Sequence, residues 1–218
     1  MDPNERKAWT EIITPEDLDD HLAEIEQAET NAHLIVEMFN DFSIESGPEL
    51  LVPGCGTGQM FDYIEHTMIG DYNFTFTDLN PKYLEKLGGR LLKNGDMGYS
   101  ILIDDIEDTK LSGIFDGILA VLLLQHIEWR KGINSMLGFN PSMIYLIIQE
   151  QENEDHVVTK ERDLRPSIKK YAEIENPCLV PRQELTDYLR NRDYKLLKDY
   201  ERQVPDQKSM IGLVFEKS

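Results

Sequence analysis

The stretch Leu50 to Gly58, LLVPGCGTG, decides how this chain folds. An apolar run of strand character enters a turn with glycine at every second position, and a helix is expected to follow from Met60 to about His66. Residues without side chains let the main chain approach a ligand closely, so the N–H groups of such a turn can face it. Asp78 stands twenty residues beyond Gly58, at the end of the next apolar run. A carboxylate there can accept both hydroxyls of a ribose, which makes this a nucleotide-cofactor pattern.

Spacing narrows the cofactor. A dinucleotide fingerprint reads G-x-G-x-x-G, but Gln59 stands where its third glycine would fall. No Gly-Lys followed by Ser or Thr is present, which excludes a P-loop. The G-x-G-x-G form, with Asp78 in FTFTDLNP, resembles motif I and the acidic loop of class I S-adenosylmethionine-dependent methyltransferases. Further segments match in register over residues 50–150: SILIDDIED (Ser100 to Asp108), FDGILAVLLLQHIEW (Phe115 to Trp129), and NPSMIYLIIQE (Asn140 to Glu150), which reads as a buried fifth strand.

The resemblance implies S-adenosyl-L-methionine as cofactor and S-adenosyl-L-homocysteine as product. It implies a ribose held by Asp78, an adenine amino group at Asp105 and the backbone N–H of Ile106 beside it. Pro53, Gly54, Cys55, Gly56, Gly58 and Met60 would surround the cofactor from the loop, with Leu79 and Val121 from the following strand ends. One feature departs from the common pattern: Val52 stands two positions before the first glycine, where many members carry an acid near the methionine amino group. Thiopurine-type and halide or thiol methyltransferases also read VPGCG.

The fold expected is α/β and doubly wound, a seven-stranded mostly parallel sheet with an antiparallel C-terminal strand and helices on both faces. A length of 218 residues with 40% hydrophobic content suits one domain with a single core. Its expected parts are an N-terminal helical cap (1–46), a cofactor-binding core (47–150), an inserted substrate lid (151–180) and a terminal helix and strand pair (181–218). In the cap, Thr14-Pro15-Glu16-Asp17 is a helix start, and Leu18, Leu22, Ile25, Ala28, Ala32, Ile35 and Phe39 recur at helical spacing as one helix. Trp9, Gln27 and Asn31 either reach the pocket or serve as an ordinary anchor and exposed polar positions. Near the C-terminus, PRQELTDYLRNRDY (Pro181 to Tyr194) is an amphipathic helix, and Tyr194–Tyr200 and Ser209–Glu216 form two strands joined at Pro205-Asp206.

A net charge of −19 argues against nucleic-acid binding, which depends on neutralising phosphates. Residues 1–50 hold 14 Asp and Glu against Arg6 and Lys7, a solvated face or an attractor of cationic substrates. The longest apolar run, Gly117 to Leu124, is far below the roughly 20 residues that span a bilayer. With no signal-peptide pattern, the expectation is a cytoplasmic protein without membrane partners. Two cysteines, Cys55 and Cys178, cannot build a disulfide framework or a four-ligand zinc site, so no metal is expected. Cys55 reads either as a small packing residue or as a reactive thiol.

The acceptor half is less patterned. His126 is the candidate base, since a His near this point removes the acceptor proton in plant-type phenolic O-methyltransferases; a structural role is the other reading. Gln149 and Glu150 are alternatives for orienting or deprotonating a substrate. Lys160, Arg162, Arg165, Lys169 and Lys170 crowd the insertion, either as a clamp for an anionic substrate group or as a solvated lid. Tyr171 and Trp9 could pack over an organic substrate. The function expected is methyl transfer to a small molecule. The alternatives are a non-catalytic methyltransferase-like protein binding a basic partner, and a methyltransferase of protein side chains.

Overall fold

The computed structural model describes residues 1–45, 47–65, 68–93, 98–151, 157–158, 163–174 and 179–218. Seven strands form one sheet: β1 (Glu49–Pro53), β2 (Asn73–Asp78), β3 (Gly98–Ile103), β4 (Gly117–Val121), β5 (Met143–Gln151), β6 (Tyr194–Val204) and β7 (Lys208–Lys217). Their order is β3-β2-β1-β4-β5-β7-β6, and only β7 runs against the others. The order reverses between β1 and β4, so the crevice for a ligand opens at the carboxyl ends of these two strands.

Alternation along buried strands feeds two core layers. Tyr145 and Ile147 of β5 pack on one face of the sheet, and Ile144, Leu146 and Ile148 on the other. The first face is covered by α3 (Gln27–Asp41) through Leu34, Ile35 and Met38. Helices α5 (Trp129–Gly138) and α7 (Arg182–Arg190) cover the second, through Ile133 and Met136 and through Leu185 and Leu189. Helix α4 (Pro81–Leu91) closes the β2 and β3 side, its Leu84, Leu87 and Leu91 inward. The terminal pair is longer than expected, and its turn passes through Pro205 with Asp206 and Gln207 at positive φ.

Three expectations are corrected. The element after the glycines is a 3-10 turn, Gln59–Tyr63, rather than a helix; His66 lies outside the described residues. The N-terminal helix is broken into α2 (Pro15–Glu24) and α3, with Glu26 left-handed at φ 56° between them. The break turns Leu18 toward a third, smaller cluster while α3 joins the main core. Ahead of them, α1 (Pro3–Lys7) and a π turn (Ala8–Ile12) were not foreseen. The insertion contains α6 (Pro166–Ala172), whose Ile168 and Tyr171 meet Ala8 and Ile13 in that third cluster.

Candidate active site

One cavity lies over the carboxyl ends of β1, β2 and β4 and beneath the N-terminal segment and α6. Gly54, Gly56 and Gly58 leave β1 with φ of 59°, 57° and 65°. Packing requires two of them: a Cβ at Gly54 would lie 2.5 Å from Leu123 Cδ1, and one at Gly58 would lie 2.2 Å from Leu87 Cδ1. At Gly56 a Cβ would meet nothing within 4 Å. Bare backbone at Gly56 therefore leaves open room that a side chain would take.

Asp78, at the end of β2, accepts the Gly56 N–H on Oδ2 at 2.9 Å and the Asn80 N–H on Oδ1 at 2.8 Å. Burial pushes its carboxyl upward, and these backbone bonds oppose that only in part. A carboxylate has about four acceptor positions, so both oxygens retain capacity for a ligand. Asp105 caps the 3-10 turn Ile106–Asp108 by accepting the Glu107 N–H at 2.9 Å, and its other oxygen pairs with Arg6 of α1. Pro53, Cys55, Met60, Leu79, Ile106 and Val121 also line the cavity. Cys55 is buried, and burial, with the Asp78 charge adding, pushes its thiol well up, which removes the reactive-thiol reading.

Leu122, just past β4, takes φ 54° and donates its N–H to Ile147 O at 2.8 Å. A left-handed non-glycine costs about 1 kcal/mol and marks a turn held by its surroundings. The turn leads into Leu124–His126, a 3-10 element that carries His126 to the cavity wall. His126 Nδ1 lies 3.1 Å from Glu5 Oε1 and 3.2 Å from the Tyr171 hydroxyl. The same carboxylate oxygen accepts from Tyr171 at 2.6 Å and from Trp9 Nε1 at 3.1 Å. Trp9 packs edge-on against His126, with ring centres 4.6 Å apart. Burial raises the Glu5 carboxyl, but the bonds from His126, Tyr171 and Trp9 outweigh it and bring the group below its ordinary value.

The deep end of the cavity is amide-rich. Gln27 Nε2 donates to Gln149 Oε1 at 3.3 Å, and both line the wall with Asn31. Asn31 is 5% exposed, and its Oδ1 has no partner among the described residues. Lys208 also lines this end, with Nζ donating to Val157 O at 2.5 Å.

Asp19 of α2 ties the cap to the glycine turn. It accepts the Thr57 hydroxyl at 2.5 Å and pairs with Arg90 and with Lys86 at 2.8 Å, while its backbone carbonyl accepts Gln59 Nε2 at 3.0 Å.

Other expected substrate residues lie elsewhere. Arg165 is outside the cavity lining, 2.5 Å from Glu24 and 3.5 Å from Asp20, and Lys169 and Lys170 are exposed. The acidic α2 captures the Arg165 guanidinium, so the clamp reading loses it. Arg162, Lys160 and Cys178 lie outside the described residues. Glu150 points away as an ion pair with Arg182 at 2.7 Å, which removes it as a candidate base. Among the described residues no cluster of three His, Cys, Asp or Glu is arranged to hold a metal, and no helix is long and apolar enough to cross a membrane.

Sequence reading missed Glu5, Asp19 and Lys208. Asp2-Pro3 is a legible helix start, and Asp2 does cap α1 by accepting the Asn4 N–H at 2.8 Å. Nothing near Glu5 announces partners more than 100 residues away.

Residues 51–137 match the family described as a methyltransferase domain. No curated protein matches the sequence. Among solved structures, the magnesium protoporphyrin IX methyltransferase of Synechocystis PCC 6803 with bound SAH is 13% identical, with a TM-score of 0.66 over 87% of this chain and 83% of that one. The N-methyltransferase NodS of Bradyrhizobium japonicum WM9 is 12% identical, with a TM-score of 0.61 over 88% and 87%. The cyclase SpnF is 14% identical, with a TM-score of 0.61 over 88% and 82%. At these identities the likeness is one of fold.

Proposed function

We infer the reaction from the family: this chain belongs to the class I S-adenosylmethionine-dependent methyltransferase superfamily and is an enzyme that uses that cofactor. We propose further that its acceptor is a small molecule. The observation that carries this is the cavity itself, where the Gly56 backbone, the Asp78 carboxylate and Asp105 converge beneath a cap that partly covers the remaining volume. A concave, mostly apolar cavity partly covered by a cap suits a small organic body.

The residues present fit the cofactor. Asp78 would hold the ribose, Asp105 the adenine amino group and the 54–58 turn the chain of the methionine. Asn31 Oδ1, buried and without a partner on the cavity wall, is an acceptor suited to the methionine ammonium that the acid replaced by Val52 would otherwise meet. Bound there, the cofactor supplies an electrophilic methyl carbon. The protein's share is to align the acceptor, exclude water and take up a proton where the acceptor must lose one. Trp9, Tyr171 and His126 form the wall that would face the acceptor. Arg6 stands against Asp105, so entry of an adenine group requires α1 to adjust.

The fold is also that of a cyclase, so the cofactor must be tested directly. Calorimetric titration with S-adenosylmethionine and S-adenosylhomocysteine, with NADH as comparator, is expected to give micromolar binding of the first two and none of NADH. Absence of binding by both would favour a non-catalytic interaction protein.

A further inference from the structure

We infer that Glu5 of the N-terminal cap is a positioning residue that holds His126 as a base, and that the acceptor is a hydroxyl compound with an aromatic or apolar body. This rests on the methyl-transfer reading above and specifies its acceptor.

The argument begins with the imidazole. Its Nδ1 faces the Glu5 carboxylate at 3.1 Å, and Glu5 does not line the cavity whereas His126 does. A carboxylate accepts and does not donate, so the Nδ1 bond requires the proton on Nδ1. In the neutral ring the lone pair then sits on Nε2, which has no hydrogen bond among the described residues. Fixing one ring nitrogen through a buried carboxylate is how a histidine becomes a directed base, because it sets both tautomer and orientation and stabilises the imidazolium formed.

Glu5 is itself held firmly. It is 4% exposed, and Oε1 receives the Tyr171 hydroxyl and the Trp9 indole N–H while Oε2 is buried without a partner. Burying a carboxylate is costly unless donors offset it, and here all of them come from residues of the acceptor wall. Three separate segments must therefore meet for the base to exist: α1 with the π turn, the Leu124–His126 turn and α6. Seating the cap completes it.

A base implies an acceptor that must be deprotonated. An alkylamine can enter as its free-base fraction, with its lone pair already available, and a thiol is partly ionised near neutrality, so neither requires a base held in the site. A hydroxyl does. In the step, the acceptor O–H bond breaks and its proton passes to His126 Nε2. Its oxygen forms the O–CH3 bond while the electron pair of the S–CH3 bond stays on sulfur. Methylated acceptor, the neutral thioether and an imidazolium beside Glu5 balance the charge. Trp9 and Tyr171 pack against His126, and Ile13 and Ile168 line the same cavity, surfaces that suit an apolar ring.

The test needs no known substrate at the start. Nitrogen-15 NMR of histidine-labelled protein should find His126 as the Nδ1–H tautomer above its titration, and Glu5→Leu should abolish that preference while Glu5→Gln retains part of it. A wild-type ring found as the Nε2–H tautomer overturns the proposal. S-adenosylhomocysteine release is then followed with a phenol, an alkyl alcohol, an amine and a thiol. Turnover should occur with a hydroxyl compound, with kcat falling ten- to a hundredfold in Glu5→Leu, cofactor Kd within twofold and partial rescue by Gln. Turnover confined to the amine or thiol and insensitive to Glu5→Leu overturns it. Failure of the calorimetric titration would instead defeat methyl transfer and leave the tautomer result standing.

Discussion

The backbone N–H of Gly56 donates to Oδ2 of Asp78 across 2.9 Å, so the glycine turn and the carboxylate proposed to hold the ribose are one mechanical unit. Removing the acid therefore frees the turn as well as the ligand. Asp78→Ala should weaken S-adenosylmethionine binding by at least about 2 kcal/mol, roughly thirtyfold, because two charge-assisted bonds and the ordering of the turn are lost together. Calorimetry measures it; an unchanged Kd would mean the ribose binds elsewhere.

Gly56 and Gly58 should respond differently to the same substitution. Gly58→Ala drives a Cβ to 2.2 Å from Leu87 Cδ1 in addition to the strain of its positive φ, and should cost about 2 to 4 kcal/mol of stability. Gly56→Ala carries only the strain, about 1 to 2 kcal/mol, but fills the open room at the turn. Its larger effect should be on cofactor affinity, with thermal unfolding and calorimetry separating the two.

Asp19 and Arg90 are both nearly buried, so breaking their pair leaves the guanidinium with only the more exposed Asp62, at 2.8 Å, and the Thr57 carbonyl as partners. Asp19→Ala should destabilise the protein by about 3 kcal/mol and loosen the glycine turn through loss of the Thr57 bond. Denaturant titration gives the first effect, and hydrogen exchange at the Gly56 to Gln59 amides the second.

Glu5 predicts an acid-sensitive cap. Its folded pKa lies below the ordinary 4.5, so its contribution is fully present above about pH 5.5 and is lost as pH falls through 4.5 and then through the folded value. The difference in unfolding temperature between wild type and Glu5→Gln should shrink as pH falls below 4.5. A difference that persists to pH 3 would show that Glu5 is not ionised in the fold.

Cys55 should be chemically silent. In a Cys178→Ser background, a disulfide reagent at pH 8 should label the native protein far more slowly than the unfolded one, because a buried thiol beside Asp78 stays protonated. Labelling of native protein at the unfolded rate would contradict its burial.

The sequence by itself determined the sheet and which strand-end residues line the cavity. The turn at 54–58 and the ends of β2 and β4 are local features, each written within a few residues by strand periodicity and glycine spacing. A parallel sheet then carries such ends to one edge whatever else the chain does. The C-terminal hairpin was legible for the same reason. Tertiary structure alone decided the cap side of the cavity. Glu5, His126 and Tyr171 come from positions more than 40 residues apart, and Arg165 is drawn to Glu24 by a helix whose break at Glu26 no periodicity marked. Such contacts depend on how the cap settles onto the sheet, a matter of packing and charge pairing between distant segments that no local spacing encodes.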